Sequence, residues 1–157
     1  GLGRGKGHPN LQMWNNIQVP DWMIIWVKTN AMSRSSLGGF NNWEPILFYG
    51  DNKNKLPQDI FDHPITVQKD VADDDGNKLH PTPKQVKLWE KIIGILSNDN
   101  DLLYEPFLGS GSTLIACEKT NRKCYGMEID PHYCDVIVKR WEEFTGNKAE
   151  RVERAEC

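Results

Sequence analysis

The stretch Leu102-Leu103-Tyr104-Glu105-Pro106-Phe107-Leu108-Gly109-Ser110-Gly111-Ser112-Thr113 constrains the fold of this chain most, because a short apolar run enters a glycine-rich turn and then becomes helical in character. It reads as strand, ligand loop and helix. Leu102 to Tyr104 suit a sheet, Gly109 and Gly111 allow backbone angles and a close ligand approach that a Cβ would obstruct, and Ser112 to Glu118 continues in helix formers. The loop's amides are then expected to face a ligand. Further on, Lys123 to Asp130 has the look of a second strand ending in acidic residues. Glu128 stands 19 positions after Gly109, the spacing at which a carboxylate grips ribose hydroxyls. A glycine pair also serves plain strand-to-helix turns, so it is the acid at the second strand's end that points to a ligand. Glu105 ahead of the loop, and the lack of a Gly-Lys-Ser/Thr ending, disfavour a polyphosphate and favour a nucleoside carrying positive charge.

Glu105 to Thr113, Gly126 to Asp130 and the upstream His80-Pro81-Thr82-Pro83-Lys84 resemble the cofactor half of the amino-methylating DNA methyltransferases. In the circularly permuted classes of that family, a His-Pro-Thr-x-Lys segment precedes an Asp-Pro-Phe-x-Gly-Ser-Gly-Thr loop, and both precede a Gly-x-Glu-x-Asp strand end. The same order stands here, from His80 to about Gly146, with Glu105 in place of the usual Asp and Ser112 in place of the usual Thr. A weaker likeness covers Trp22 to Gly50, where Ile25 to Lys28 and Glu44 to Gly50 resemble the family's last two strands. The resemblance implies an α/β fold, part of a Rossmann-like S-adenosylmethionine-dependent methyltransferase, with a mostly parallel sheet and an antiparallel edge pair. It implies S-adenosylmethionine as cofactor, DNA as partner, and methyl transfer to an exocyclic amine of adenine or cytosine. Its cofactor residues would be Thr82, Lys84, Glu105, Phe107, Gly109, Ser110, Gly111, Ser112 and Glu128. In that reading the amides of Phe107 to Ser112 face the methionine part, Glu128 takes the ribose diol, and Thr82 and Lys84 approach the carboxylate. The family's catalytic Asp/Asn/Ser-Pro-Pro-aromatic tetrapeptide, which holds a flipped base, has no counterpart, since no Pro-Pro occurs in the chain. The sequence therefore resembles the C-terminal portion of such an enzyme, with no catalytic residue assigned.

A length of 157 residues, 38% hydrophobic and 26% charged, suits one domain with a real core. The expected organisation is a flexible arm and short helix over 1–20, then a single domain over 21–157 with an irregular acidic connector at 51–79. The longest apolar runs, Trp22 to Val27 and Pro45 to Tyr49, are far too short for a bilayer, and no basic-then-apolar leader opens the chain. A cytoplasmic protein is expected. Cys117, Cys124, Cys134 and Cys157 contain no Cys-x-x-Cys pair and read as reduced thiols rather than a metal site or disulfides. A net charge of -3 gives no basic stripe for nucleic acid, so DNA binding by this chain alone is expected to be weak.

In chain order, Gly1 to Gly7 alternates glycine with basic residues, and Asn10 to Gln18 has near-helical apolar spacing before Pro20. Trp22 to Lys28 and Glu44 to Tyr49 read as an antiparallel pair joined by the Ser-, Asn- and Gly-rich loop Thr29 to Trp43, which is either functional or simply flexible. Pro83 to Leu96 reads as a helix with a Thr82-x-x-Gln85 capping box and a stripe of Val86, Trp89, Ile93 and Leu96, Ile92 beside it. Thr82 can thus cap or bind. Pro131 to Phe144 reads as a helix capped by Asp130 that buries Tyr133, Ile137, Trp141 and Phe144.

Two rivals remain at this stage. One is a catalytically inactive, truncated relative serving assembly. The other, a dinucleotide-dependent oxidoreductase, is disfavoured by Leu114 where a third glycine would stand. The strands absent from the resembling sheet imply a homodimer or a complementing upstream fragment, since unpaired apolar edges invite association.

Overall fold

The computed structural model describes residues 19–30, 39, 41–51, 54, 58–65 and 84–152. The expected arm, the helix over 10–18, most of the loop after Asn30, most of the connector over 51–79, Thr82 and Pro83 lie outside the described residues. The fold is α/β, and contacts divide it into two compact units, 1–65 and 66–157.

Unit 1 is built on β1 (Trp22–Val27), whose aromatic and β-branched residues favour a pleated strand. It pairs antiparallel with β2 (Trp43–Phe48), Trp22 opposite Phe48 and Val27 opposite Trp43, as the sequence suggests. A third strand, β3 (Ile60–Asp62), runs parallel along the other edge of β1, with Ile25 opposite Ile60. It corrects the reading of the acidic connector as wholly irregular; three residues are too few for an alternation to show. The register gives the sheet two distinct faces. Ile24, Trp26 and Phe61 are buried on one, and the Trp26 indole donates to the His63 carbonyl at 2.8 Å. Lys28, also buried, pairs with Glu44 at 3.2 Å. The other face carries Met23, Trp43 and Ile60, about half exposed each.

Unit 2 holds two parallel strands, β4 (Leu102–Glu105) and β5 (Lys123–Gly126), in register from Leu102↔Lys123 to Glu105↔Gly126. Three helices accompany them: α1 (Val86–Leu96), α2 (Ser112–Lys119) and α3 (Pro131–Thr145). Leu103 and Cys124 turn inward to a core of Ile93, Ala116 and Cys117, with Val86 and Trp89 packed against it. Burial pushes the Cys117 thiol up to about 12, so it stays neutral and serves as a small apolar side chain. Leu102, Tyr104 and Tyr125 alternate to the opposite, exposed face.

Helix α1 starts three residues later than the capping box implies. Gln85 is itself the N-cap, extended at φ -71° and ψ 137° and without a side-chain cap, while its carbonyl accepts from Leu88. A glutamine outside the first turn cannot close a capping box, so that expectation fails. The buried face is also rotated, to Leu88, Ile92 and Ile93. Helix α3 follows its expected start: the Asp130 carboxylate accepts from the His132 amide at 2.9 Å, and Pro131 occupies the first turn. Its far end departs from expectation, because Phe144 is exposed. There the Trp141 indole donates to Glu118 at 2.9 Å and the Lys119 ammonium lies 5.8 Å from the Phe144 ring, so the helix meets polar residues instead of a core.

Candidate functional site

Both parallel strands of unit 2 point their carboxyl ends toward the turn Glu105 to Ser112, where ligands of open α/β sheets gather. The turn needs no ligand to hold its shape. Glu105 Oε1 accepts from the Phe107 amide at 3.1 Å and Oε2 from the Thr113 hydroxyl at 3.3 Å. The Leu108 amide donates to the Met127 carbonyl, and the Gly111 amide to the Leu108 carbonyl, each at 2.9 Å. Gly111 has φ +80°, and a Cβ there would lie 3.2 Å from Ile137 of α3.

Strand β5 is shorter than the sequence suggests: it stops at Gly126, and Glu128 follows in the loop beyond. There its Oε2 accepts from the Gly109 amide at 2.7 Å, while Oε1 accepts from Ile129 and Asp130 at 2.9 and 3.0 Å. Several hydrogen bonds to one carboxylate fix its direction. This changes the expected use of the loop. The amides of Phe107, Leu108, Gly109 and Gly111 are taken by the protein, and Ser110 and Ser112 are buried. The loop is a closed turn rather than a row of open donors.

Beside it lies a cleft of about 580 Å³ lined by Phe107, Gly109, Met127, Glu128, Ile129 and Tyr133. Phe107 is 86% and Ile129 97% exposed, two apolar groups held in solvent next to a carboxylate. Glu105 instead lines a second cleft, about 510 Å³, between β4 and α1, with Trp89, Leu96, Leu103 and Thr113. The predicted residues Phe107, Gly109 and Glu128 therefore share one cleft and Glu105 faces another, while Ser110, Gly111 and Ser112 shape the turn beneath. Lys84 precedes α1 and lines neither cleft, and Thr82 lies outside the described residues. Sequence reasoning missed Ile129, which sits between two acids without a pattern, and Tyr133, whose helical spacing reads as core. It also missed Arg140 of α3, which donates to the Ser110 carbonyl. Among the described residues no cluster of acids, histidines and cysteines suits a metal, and no helix is long and apolar enough to cross a membrane.

The chain is 36% identical over 72 residues to the type II methyltransferase M.HpaI of Haemophilus parainfluenzae, covering 45% of this chain and 23% of that protein. It is 31% identical over 97 residues to the type II methyltransferase M.HinfI of Haemophilus influenzae, covering 61% and 27%. The chain thus spans about a quarter of the length of these two relatives. The crystal structure of an M1.HpyAVI–SAM complex superposes with a TM-score of 0.56 at 29% identity, covering 77% of this chain and 61% of that one. Residues 11–139 match the DNA methylase family, and the chain belongs to that family.

Proposed function

We propose that this chain is the cofactor-binding portion of a DNA amino-methyltransferase, holding S-adenosylmethionine in the cleft beside Glu128. The observation that carries this reading is an oriented carboxylate that shares a cleft with two exposed apolar side chains, Phe107 and Ile129, near the carboxyl ends of parallel strands. A carboxylate there accepts from ribose hydroxyls, and the apolar pair receives the faces of a purine. A volume of about 580 Å³ lies within the range of small-molecule sites, roughly 300–1,000 Å³. Glu128 and Asp130 at the rim suit a sulfonium and oppose a polyphosphate. When bound, the cofactor supplies an electrophilic methyl group; the protein's part is to orient it. Isothermal calorimetry with S-adenosylmethionine, and with NAD⁺ as comparison, tests the reading. Binding of the first alone is expected; preference for NAD⁺, or no binding, overturns it.

Transfer to the exocyclic amine of adenine or cytosine needs a base pocket, which we assign to a complementing portion of the enzyme. The sequence holds no Pro-Pro-aromatic segment, the match spans about a quarter of the two relatives, and both sheets leave an apolar face exposed. Parallel sheets are normally covered on both faces. Mixing this chain with the part of M.HinfI outside the matched stretch is expected to yield labelled-methyl transfer to DNA; the chain alone transfers none. Activity of the chain alone would overturn the assignment. Without a complement, the exposed faces favour self-association, and light scattering is expected to show a species heavier than 18.0 kDa. We place such an enzyme in the cytoplasm, with its DNA.

A further inference from the structure

We infer that Arg140 is a positioning residue for the glycine turn, holding the Ser110–Gly111 peptide beneath the cleft so that Gly109 stays presented to Glu128; its link to the cofactor rests on the function proposed above. That peptide joins Ser110 to Gly111, whose φ of 80° lies where side chains are disfavoured, and a glycine on its amide side lowers the steric cost of rotating the plane. Arg140 removes that freedom. One turn along α3 from Ile137, whose side chain packs at Gly111, its guanidinium donates through Nη1 to the Ser110 carbonyl. With the carbonyl drawn toward α3, the Gly111 amide meets the Leu108 carbonyl, and the turn presents Gly109 to Glu128. Rotation of the plane would break the Gly111–Leu108 hydrogen bond and loosen the turn that holds Gly109 at Glu128.

The other half-buried arginine of unit 2 shows by contrast what a purely structural role looks like. Arg122 donates to the Ser97 carbonyl at 2.8 Å, to the Ser97 hydroxyl and to the Thr120 carbonyl, and pairs with Asp99 at 2.8 Å, stapling the turn between α1 and β4. Arg140 instead directs its charge at one carbonyl of the turn, and burial lowers its pKa from the ordinary arginine value, the sign of a cation removed from water.

The test measures hydrogen exchange of the amides over 110–113 in the full chain without ligand, and calorimetric affinity for S-adenosylmethionine, in Arg140→Met, Arg140→Lys and Arg122→Met. Arg140→Met is expected to speed exchange in the turn and to weaken binding roughly tenfold or more, the scale of one charge-assisted hydrogen bond. Arg140→Lys, which keeps one donor, is expected to fall between parent and Arg140→Met. Arg122→Met is expected to lower the melting temperature while leaving turn exchange and affinity as in the parent. Unchanged turn exchange in Arg140→Met, or equal effects from both methionine variants, overturns the inference. Should Arg140→Met fail to fold, Arg140→Lys decides by itself: exchange equal to the parent's overturns the role. If the parent does not bind S-adenosylmethionine, the cofactor reading falls, and exchange still decides on Arg140.

Discussion

Unit 1 and unit 2 both place an apolar layer on one side of a small sheet, yet they spend their polar groups in opposite ways. In unit 1 Lys28 meets Glu44 and the Trp26 indole meets a backbone carbonyl, while the His63 Nε2 beside them is buried without a hydrogen-bond partner among the described residues. In unit 2 Glu105, at the end of β4, and Glu128, in the loop beyond β5, accept from loop amides, each at the edge of its own cleft. The first arrangement closes a structure. The second shapes a surface and leaves charge within reach of solvent. The difference teaches where to look for chemistry in a chain of this kind: at polar groups spent on orienting a loop, not at those that neutralise each other.

Phe61→Ala should break the comparison most visibly. Phe61 is 1% exposed, and its truncation is expected to cost about 3–5 kcal/mol. If unit 1 is a frame and unit 2 carries the site, chemical denaturation will show that loss while calorimetry on the folded fraction shows unaltered cofactor affinity. A matching loss of affinity would erase the division of labour.

Glu128→Ala reverses the pattern. Losing the charged acceptor of the Gly109 amide and of the ribose is expected to weaken S-adenosylmethionine binding by about 1.5–3 kcal/mol, with a smaller fall in melting temperature. Unchanged affinity in calorimetry would remove Glu128 from the site.

Gly111→Ala probes the turn without touching a charge. At φ +80°, with Ile137 3.2 Å from the added Cβ, strain of about 1–3 kcal/mol is expected in urea unfolding, together with weaker cofactor binding. A neutral effect would mean that the turn relaxes freely, against the rigid loop described above.

The smallest effect lies in the pH profile. The folded Cys117 keeps its proton to about pH 12, whereas the unfolded thiol loses it near its ordinary value of 9.0. Below 9.0 both states are protonated and stability is unaffected. Between 9.0 and about 12 the unfolded state binds fewer protons, so stability falls as pH rises. Melting curves at pH 8 and 10 are expected to differ less in Cys117→Ala than in the parent; an equal difference would show that Cys117 does not contribute.

Much of unit 2 was legible because its signals are local. Apolar run, glycine turn, helix and second strand follow from neighbouring residues, and Asp130 with Pro131 marks a helix start wherever it occurs. What escaped depends on distance in the chain. β3 has three residues and is a strand because β1 offers an edge. Gln85 fits a capping box on paper, but the chain enters α1 extended at that residue. The amide of Gly109 looked open to a ligand, and only folding brings Glu128 to it. Phe144 has helical spacing, but the part of α2 it meets carries Glu118 and Lys119. Periodicity reveals that a side chain shares a face, not what that face will meet.

One contact ties the histories of two positions together. A Cβ on Gly126 would stand 2.5 Å from the Leu108 Cδ2, so the end of the Leu108 side chain must move to admit it. The last residue of β5 and the middle of the glycine turn are therefore coupled through one side chain. In descendants of this sequence a side chain at position 126 is expected to bring either a shifted Leu108 or a smaller residue at position 108. A change at Gly126 is thus felt in the glycine turn, although that residue contributes no hydrogen-bonding side chain and no charge.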